Sequence, residues 1–159
     1  MSGPASVERV RAALLAAGHP DSIAAFPEGT RTAADAAAAI GCDVAQIAKS
    51  IVFRAGDTAV VVIASGANRV DAGKVAALLG TPVRRADADW VRAATGFAIG
   101  GVAPLGHAGR VRLVLDEDLL TLSPIWAAAG SPSHVFRSEA AELARMTQAI
   151  VGNIKQQEK

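Results

Sequence analysis

Few side chains in this sequence could do chemistry, and the most conspicuous is Lys49, a cation set in the run Gln46-Ile47-Ala48-Lys49-Ser50-Ile51-Val52-Phe53. An ammonium among apolar neighbours can hold a phosphate or a developing oxyanion, or can give up its proton when desolvated. Two Gly/Pro-rich stretches, Gly100 to Gly106 and Gly130-Ser131-Pro132-Ser133, could bring backbone amides close to a ligand because glycine puts no Cβ in the way. His19, His107 and His134 are widely separated, HExxH is absent, and one cysteine, Cys42, cannot build a thiolate cage. No metal site is therefore read, and no cofactor is expected. The phosphate-binding loops GxxxxGK[ST] and GxGxxG and the nucleophile elbow GxSxG are missing as well. Cys42 reads as a small packed residue rather than a nucleophile. By residue type alone, Lys49 is most simply a solvated charge at a strand start, and the glycines serve backbone geometry.

The elements that must position these residues alternate along the chain. Val7, Val10, Leu14 and Ala17 recur at helical spacing after Ser6, a candidate N-cap, and Gly18 ends that helix. Ile23 to Phe26 reads as a strand broken by Pro27 and Gly29. Thr32-Ala33-Ala34-Asp35 has capping-box form and opens an alanine-rich helix that stops at Gly41. Lys49 to Arg54 and Thr58 to Ala64 are β-branched runs around Ala55-Gly56-Asp57, the clearest hairpin. Asp71 caps a helix through Leu79 that ends at Gly80. A short strand is read near Pro82 to Arg85, then a helix from Asp87 or Asp89 to Gly96. Val111 to Leu115 alternates as a strand, Ile125 to Ala128 and Val135-Phe136 are weaker strands, and Ser138 opens a last helix.

The 159 residues suit one domain, with 51% apolar and 19% charged residues and a mean hydropathy of +0.30, a composition that excludes a disordered chain. Residues 152–159 read as a polar, frayed tail. The longest apolar run, Ala59 to Ala64, is far short of the roughly 20 residues of a membrane helix, so a cytoplasmic protein is expected. A formal net charge of +1 gives no global case for nucleic acid, and any RNA contact must be local. Arg84-Arg85 and Arg110-Val111-Arg112 are the candidate phosphate contacts. DNA and membrane partners are not expected.

In order and spacing, Thr30-Arg31-Thr32-Ala33, Ala36-Ala37, Ile40-Gly41, Gln46 to Phe53, Ser65-Gly66, Asn68-Arg69-Val70-Asp71 and Thr95 to Gly106 together resemble the YbaK/ProX family of aminoacyl-tRNA deacylases. That family is related to the editing domain of bacterial prolyl-tRNA synthetases. The resemblance implies an α/β (mixed α+β) single domain with a curved mixed sheet flanked by helices. It implies that Lys49 is the catalytic lysine, that Gly100, Gly101 and Pro104 belong to the glycine-rich loop lining the substrate pocket, and that Gly130 is a second pocket glycine. Thr30, Phe53 and Ser65 are the further candidate substrate-binding residues, with Phe26 and Ile63 as possible pocket walls. Around Gly130 the sequence Ala127-Ala128-Ala129-Gly130-Ser131-Pro132 is less polar than in several members, which leaves the amino acid open.

The implied activity is hydrolysis in trans of tRNA mischarged with a small amino acid such as Ala, Ser, Thr, Cys or 2-aminobutyrate, on tRNA(Pro) or a related tRNA. Such an ester is already activated, so aligning water, ester and ribose supplies much of the rate. Lys49 would hold the terminal phosphate-ribose or the oxyanion, with amides near Gly100-Gly101 assisting and a ribose hydroxyl taking part. The expected partner is the 3′ end of aminoacyl-tRNA, with a prolyl-tRNA or other synthetase as a source of specificity. Two other readings stand beside it: a non-catalytic module binding tRNA or a small ligand on the same fold, and a hydrolase of another small ester.

Overall fold

The computed structural model describes residues 5–26 and 32–157. Its centre is β3 (Thr58–Ser65), buried at every position after Thr58. Unbroken burial of the run Ala59 to Ser65 requires cover on both faces and strands on both edges. Antiparallel β2 (Ile47–Ala55) lies on one edge and parallel β5 (Val111–Asp116) on the other. The described strands form one mixed, eight-stranded sheet in the order β1 (Ile23–Ala25), β7 (His134–Ser138), β6 (Ile125–Ser131), β2, β3, β5, β8 (Ile150–Gly152), with β4 (Arg84–Arg85) also on β2. The β2–β3 hairpin turns through Gly56 and Asp57, with Gly56 at a φ of 61° that favours glycine.

Side-chain alternation divides the core. Val61, Ile63 and Leu115 face one cluster with Val10 and Leu14 of α1 (Ala5–Ala16), Val91 of α4 (Ala88–Thr95) and Leu143 of α5 (Ala140–Thr147). Phe53, Val60, Val62 and Ala64 face the other, with Val75 and Leu79 of α3 (Ala72–Leu79) and Ile154. A third, small cluster joins Ala36 and Ala37 of α2 (Ala33–Ile40) to Ile47, with Trp126 packed against it. The caps follow the sequence: Thr32 accepts from Asp35 N–H, Asp71 from Gly73 and Lys74, and Asp87 from Trp90. Gly41, Gly80 and Gly96 close their helices in the left-handed conformation.

Three local readings are corrected. Ser6 lies within α1, and its hydroxyl donates to Gly130 O at 2.7 Å instead of capping. Ser138 ends β7 and pairs with His19 Nε2 at 2.9 Å, leaving Glu139 as the helix N-cap. The tail is tied down as far as Gln156: β8 joins the sheet edge, Ile154 is 0% exposed, and Gln156 N–H donates to Arg69 O at 2.8 Å. Burial of Ile154 and the ion pair of Lys155 with Asp118 hold this otherwise polar segment on the body of the fold. Among the described residues, no helix is long and apolar enough to cross a membrane.

Candidate functional site

β2 and β6 run parallel but pair only at Ile47↔Trp126 and Ala48↔Ala127. On the same edge β4 takes up β2 only at Phe53 and Arg54. Residues 49–52 therefore have no strand beside them on that edge among the described residues, and Lys49 is the first residue of the gap. A cavity of about 140 Å³ opens at this split. Its walls are Lys49 and Ser50 of β2, Ala127 and Ala128 of β6, Gly100 and Val102 of the loop after α4, and Ser131 and His134 at the β6–β7 turn. Thr32, the N-cap of α2, and Ala36 within it close another side with Trp126.

Lys49 is half-buried there. Burial pushes its ammonium below the ordinary lysine range and nearby Arg69 pushes it the same way, while Asp116 pulls it back up. Asp116 is 1% exposed and is held by Ser65 N–H at 3.0 Å, Asn68 Nδ2 at 2.8 Å and Asp118 N–H at 2.9 Å. These three donors fix the Asp116 carboxyl group in place. Ser50 Oγ is buried with no hydrogen-bond partner among the described residues.

The loop from Gly96 to Gly106 is held from behind by α1. Arg9 Nη2 donates to Gly96 O at 2.7 Å and Nε to Gly106 O at 3.4 Å, and the guanidinium lies 4.9 Å from the Phe97 ring centroid. Phe97, Val102 and Ala103 are at most 3% exposed and anchor the loop in the core. His107 Nε2 meets Ala103 O at 2.7 Å, and burial lowers the affinity of that imidazole for a proton. A Cβ on Gly101 would come within 2.7 Å of Ser131 Cα, so the loop backbone rests directly on the end of β6. Gly101 N–H is already given to Ala98 O at 2.9 Å, so it is not available to an oxyanion. Gly100 and Val102 are the loop residues that reach the cavity.

Of the expected site residues that are described, Lys49 and Gly100 line this cavity and the others do not. Gly101 and Pro104 are buried behind the loop. Gly130, at a φ of 99°, accommodates α1, since a Cβ there would meet Ser6 O at 2.6 Å. Ser65 is spent structurally, its hydroxyl donating to Ala45 O at 2.7 Å. Phe53 is 4% exposed and packs on the α3 side of the sheet, and Ile63 is core. Phe26 donates its N–H to Ser133 O at 2.9 Å and stands off the cavity. Thr30 lies outside the described residues.

Residue-type reasoning missed His134, Ser131, Ser50, Thr32 and Trp126. Ser131 Oγ and His134 Nδ1 are 2.6 Å apart. The available signal was the spacing Ser131-x-x-His134 across a two-residue turn, which puts both side chains at the end of one hairpin. Of the arginines, Arg85 lines a second cavity beside Lys49, whereas Arg110 and Arg112 line a separate cleft near Asp57.

A family model described as an aminoacyl-tRNA editing domain matches residues 27–146. The chain is similar to a solved structure described as a candidate trans-editing enzyme for prolyl tRNA synthetase, at 43% identity and a TM-score of 0.92, over 98% of this chain and 100% of that one. It is also similar to the structure of hypothetical protein APE2540, at 28% identity and a TM-score of 0.87, covering 93% and 99% of the two chains. The uncharacterized protein YwhH of Bacillus subtilis (strain 168) is 29% identical over 143 residues, 89% of this chain and 91% of that protein.

Proposed function

The chain belongs to the family of aminoacyl-tRNA editing domains, and from that premise we propose that it is a trans-editing hydrolase that releases a small amino acid from mischarged tRNA. The observation that carries this reading is the cavity at the β2–β6 split, which gathers Lys49, Gly100 and the Ser131–His134 pair around a small apolar floor. A cavity of about 140 Å³ suits the small side chain of Ala, Ser, Thr, Cys or 2-aminobutyrate. The alanine walls Ala36, Ala127 and Ala128 limit depth. Discrimination is then a sieve, in which one methylene is worth about 1–3 kcal/mol.

In the reaction, water adds to the ester carbonyl, the carbonyl oxygen becomes an oxyanion, and the ribose oxygen leaves with a proton. Lys49 stabilises the oxyanion as a cation, and its partial burial makes that interaction stronger than in water. Ser131 and His134 supply polar contacts at the opposite wall. Pairing of β2 with β3 fixes the Lys49 backbone opposite Ala64, so little main-chain reorganisation is needed at the moment of reaction. The acceptor is tRNA(Pro) or a related tRNA. A near-neutral chain has modest intrinsic affinity for RNA, and a synthetase that presents the misacylated tRNA would supply the rest.

The test is release of labelled amino acid from tRNA(Pro) and tRNA(Ala) charged in turn with Ala, Ser, Thr, Cys, Pro, 2-aminobutyrate and Phe. Release confined to residues that fit the cavity supports the reading. Equal release of Phe, or turnover of simple esters with no preference for the tRNA ester, would overturn it.

A further inference from the structure

Lys49 faces two cavities. Besides the small one at the strand split, it lines a cavity of about 300 Å³ with Ile51, Phe53, Arg69, Val70, Arg85 and Gln156. Three of these seven residues are cations and none is a carboxylate. Four other cations have ion pairs among the described residues: Arg11 with Glu8 and Asp21, Arg54 with Asp57, Arg145 with Glu142 and Lys155 with Asp118. The side chains of Lys49, Arg69 and Arg85 have no ion pair or hydrogen bond among the described residues.

Their backbones are fixed. Lys49 is in β2 opposite Ala64, Arg85 is in β4 opposite Phe53, and Arg69 O receives Gln156 N–H while Val70 bridges to Lys155. Like charges gathered on rigid elements repel one another, and the closeness of Arg69 already disfavours charge on Lys49. An anion placed among them relieves that repulsion. Arg69 and Gln156 also line a wider cleft of about 710 Å³ with Ala67, Asn68, Lys155 and Gln157, so Arg69 borders both spaces.

We propose that Lys49, Arg69 and Arg85 form a phosphate track for the single-stranded 3′ segment of the RNA, leading its ester end into the small cavity at the β2–β6 split. This rests on the aminoacyl-tRNA reading and adds where the nucleic acid runs. The track recognises phosphates and not bases, because Phe53, 4% exposed, is the only ring among its described lining residues and offers no stacking platform. It therefore serves any acceptor end alike, and the choice of tRNA is made elsewhere.

The experiment is binding of an uncharged, labelled single-stranded RNA of tRNA 3′-terminal sequence, followed by anisotropy over a range of salt. Arg69→Gln and Arg85→Gln should each weaken binding several-fold and lower the slope of log K against log salt by about 0.7, the value for one single-strand phosphate contact. Arg69→Lys, which keeps the charge, should retain the slope, and Arg110→Gln, in the separate cleft, should change nothing. Unchanged slopes for both glutamine variants, loss confined to Arg110→Gln, or displacement of the RNA by an equal concentration of inorganic phosphate would each overturn the track. Because no ester is cleaved, the result is independent of the hydrolase reading. RNA binding with these slopes and no deacylation would sink the activity and keep the track; deacylation with no such RNA binding would do the reverse.

Discussion

Lys49 carries its charge where burial and Arg69 both oppose it, and Asp116 only partly compensates. Its pKa in the folded chain therefore lies below the ordinary 10.5. Between the two values the unfolded chain binds more protons, so stability rises with pH there, and the penalty of the buried charge is present in full at neutral pH. If Lys49 acts as a cation, the blank-corrected deacylation rate should fall as pH climbs through that lowered pKa, before 10.5. A rate that instead rises through the same window would make it a base. At the opposite wall, His134→Ala removes one polar contact worth about 1.4 kcal/mol, so kcat/KM should fall about tenfold with the melting temperature little changed. An unchanged kcat/KM would make His134 a bystander. Lysine among apolar residues was legible as an oddity in the sequence, whereas Ser131 and His134 were not, because their meaning depends on a hairpin end that folds beside β2.

The glycine-rich loop works as an element because it is clamped between α1 and β6. Gly101→Ala puts a methyl 2.7 Å from Ser131 Cα, where backbone cannot yield, so a loss of about 1–3 kcal/mol in stability and of most activity is expected. Retention of full deacylation by a folded Gly101→Ala protein would show that loop contact to be dispensable. Arg9→Ala removes two charge-assisted bonds to loop carbonyls and should cost about 1.5–3 kcal/mol in urea unfolding. The helix caps at Thr32, Asp71 and Asp87 and the Gly56-Asp57 turn were readable because each is decided within four residues. The constraint on Gly130 was not readable locally, since it comes from α1, 124 residues away in sequence.

At the scale of the whole molecule, the site exists because parallel β2 and β6 separate after two residue pairs and the loop after α4 fills the breach. No local pattern announces where two parallel strands part. Nor did the polar end of the chain announce that Ile154 would be 0% exposed against Val75 and Phe53. Ile154→Ala should destabilise the fold by about 2–5 kcal/mol and lower the melting temperature accordingly. A change below 0.5 kcal/mol, roughly the surface-substitution range, would return the tail to a dispensable role. The central claim, that this fold uses Lys49 at the strand split to hydrolyse an aminoacyl ester, is tested most directly by single-turnover deacylation of small aminoacyl-tRNAs with wild type and Lys49→Ala, both confirmed folded by melting. Enzyme-dependent release and a loss of about 10²–10³-fold in the variant are expected. Equal rates for the two proteins, or no release above the blank by either, would contradict that claim.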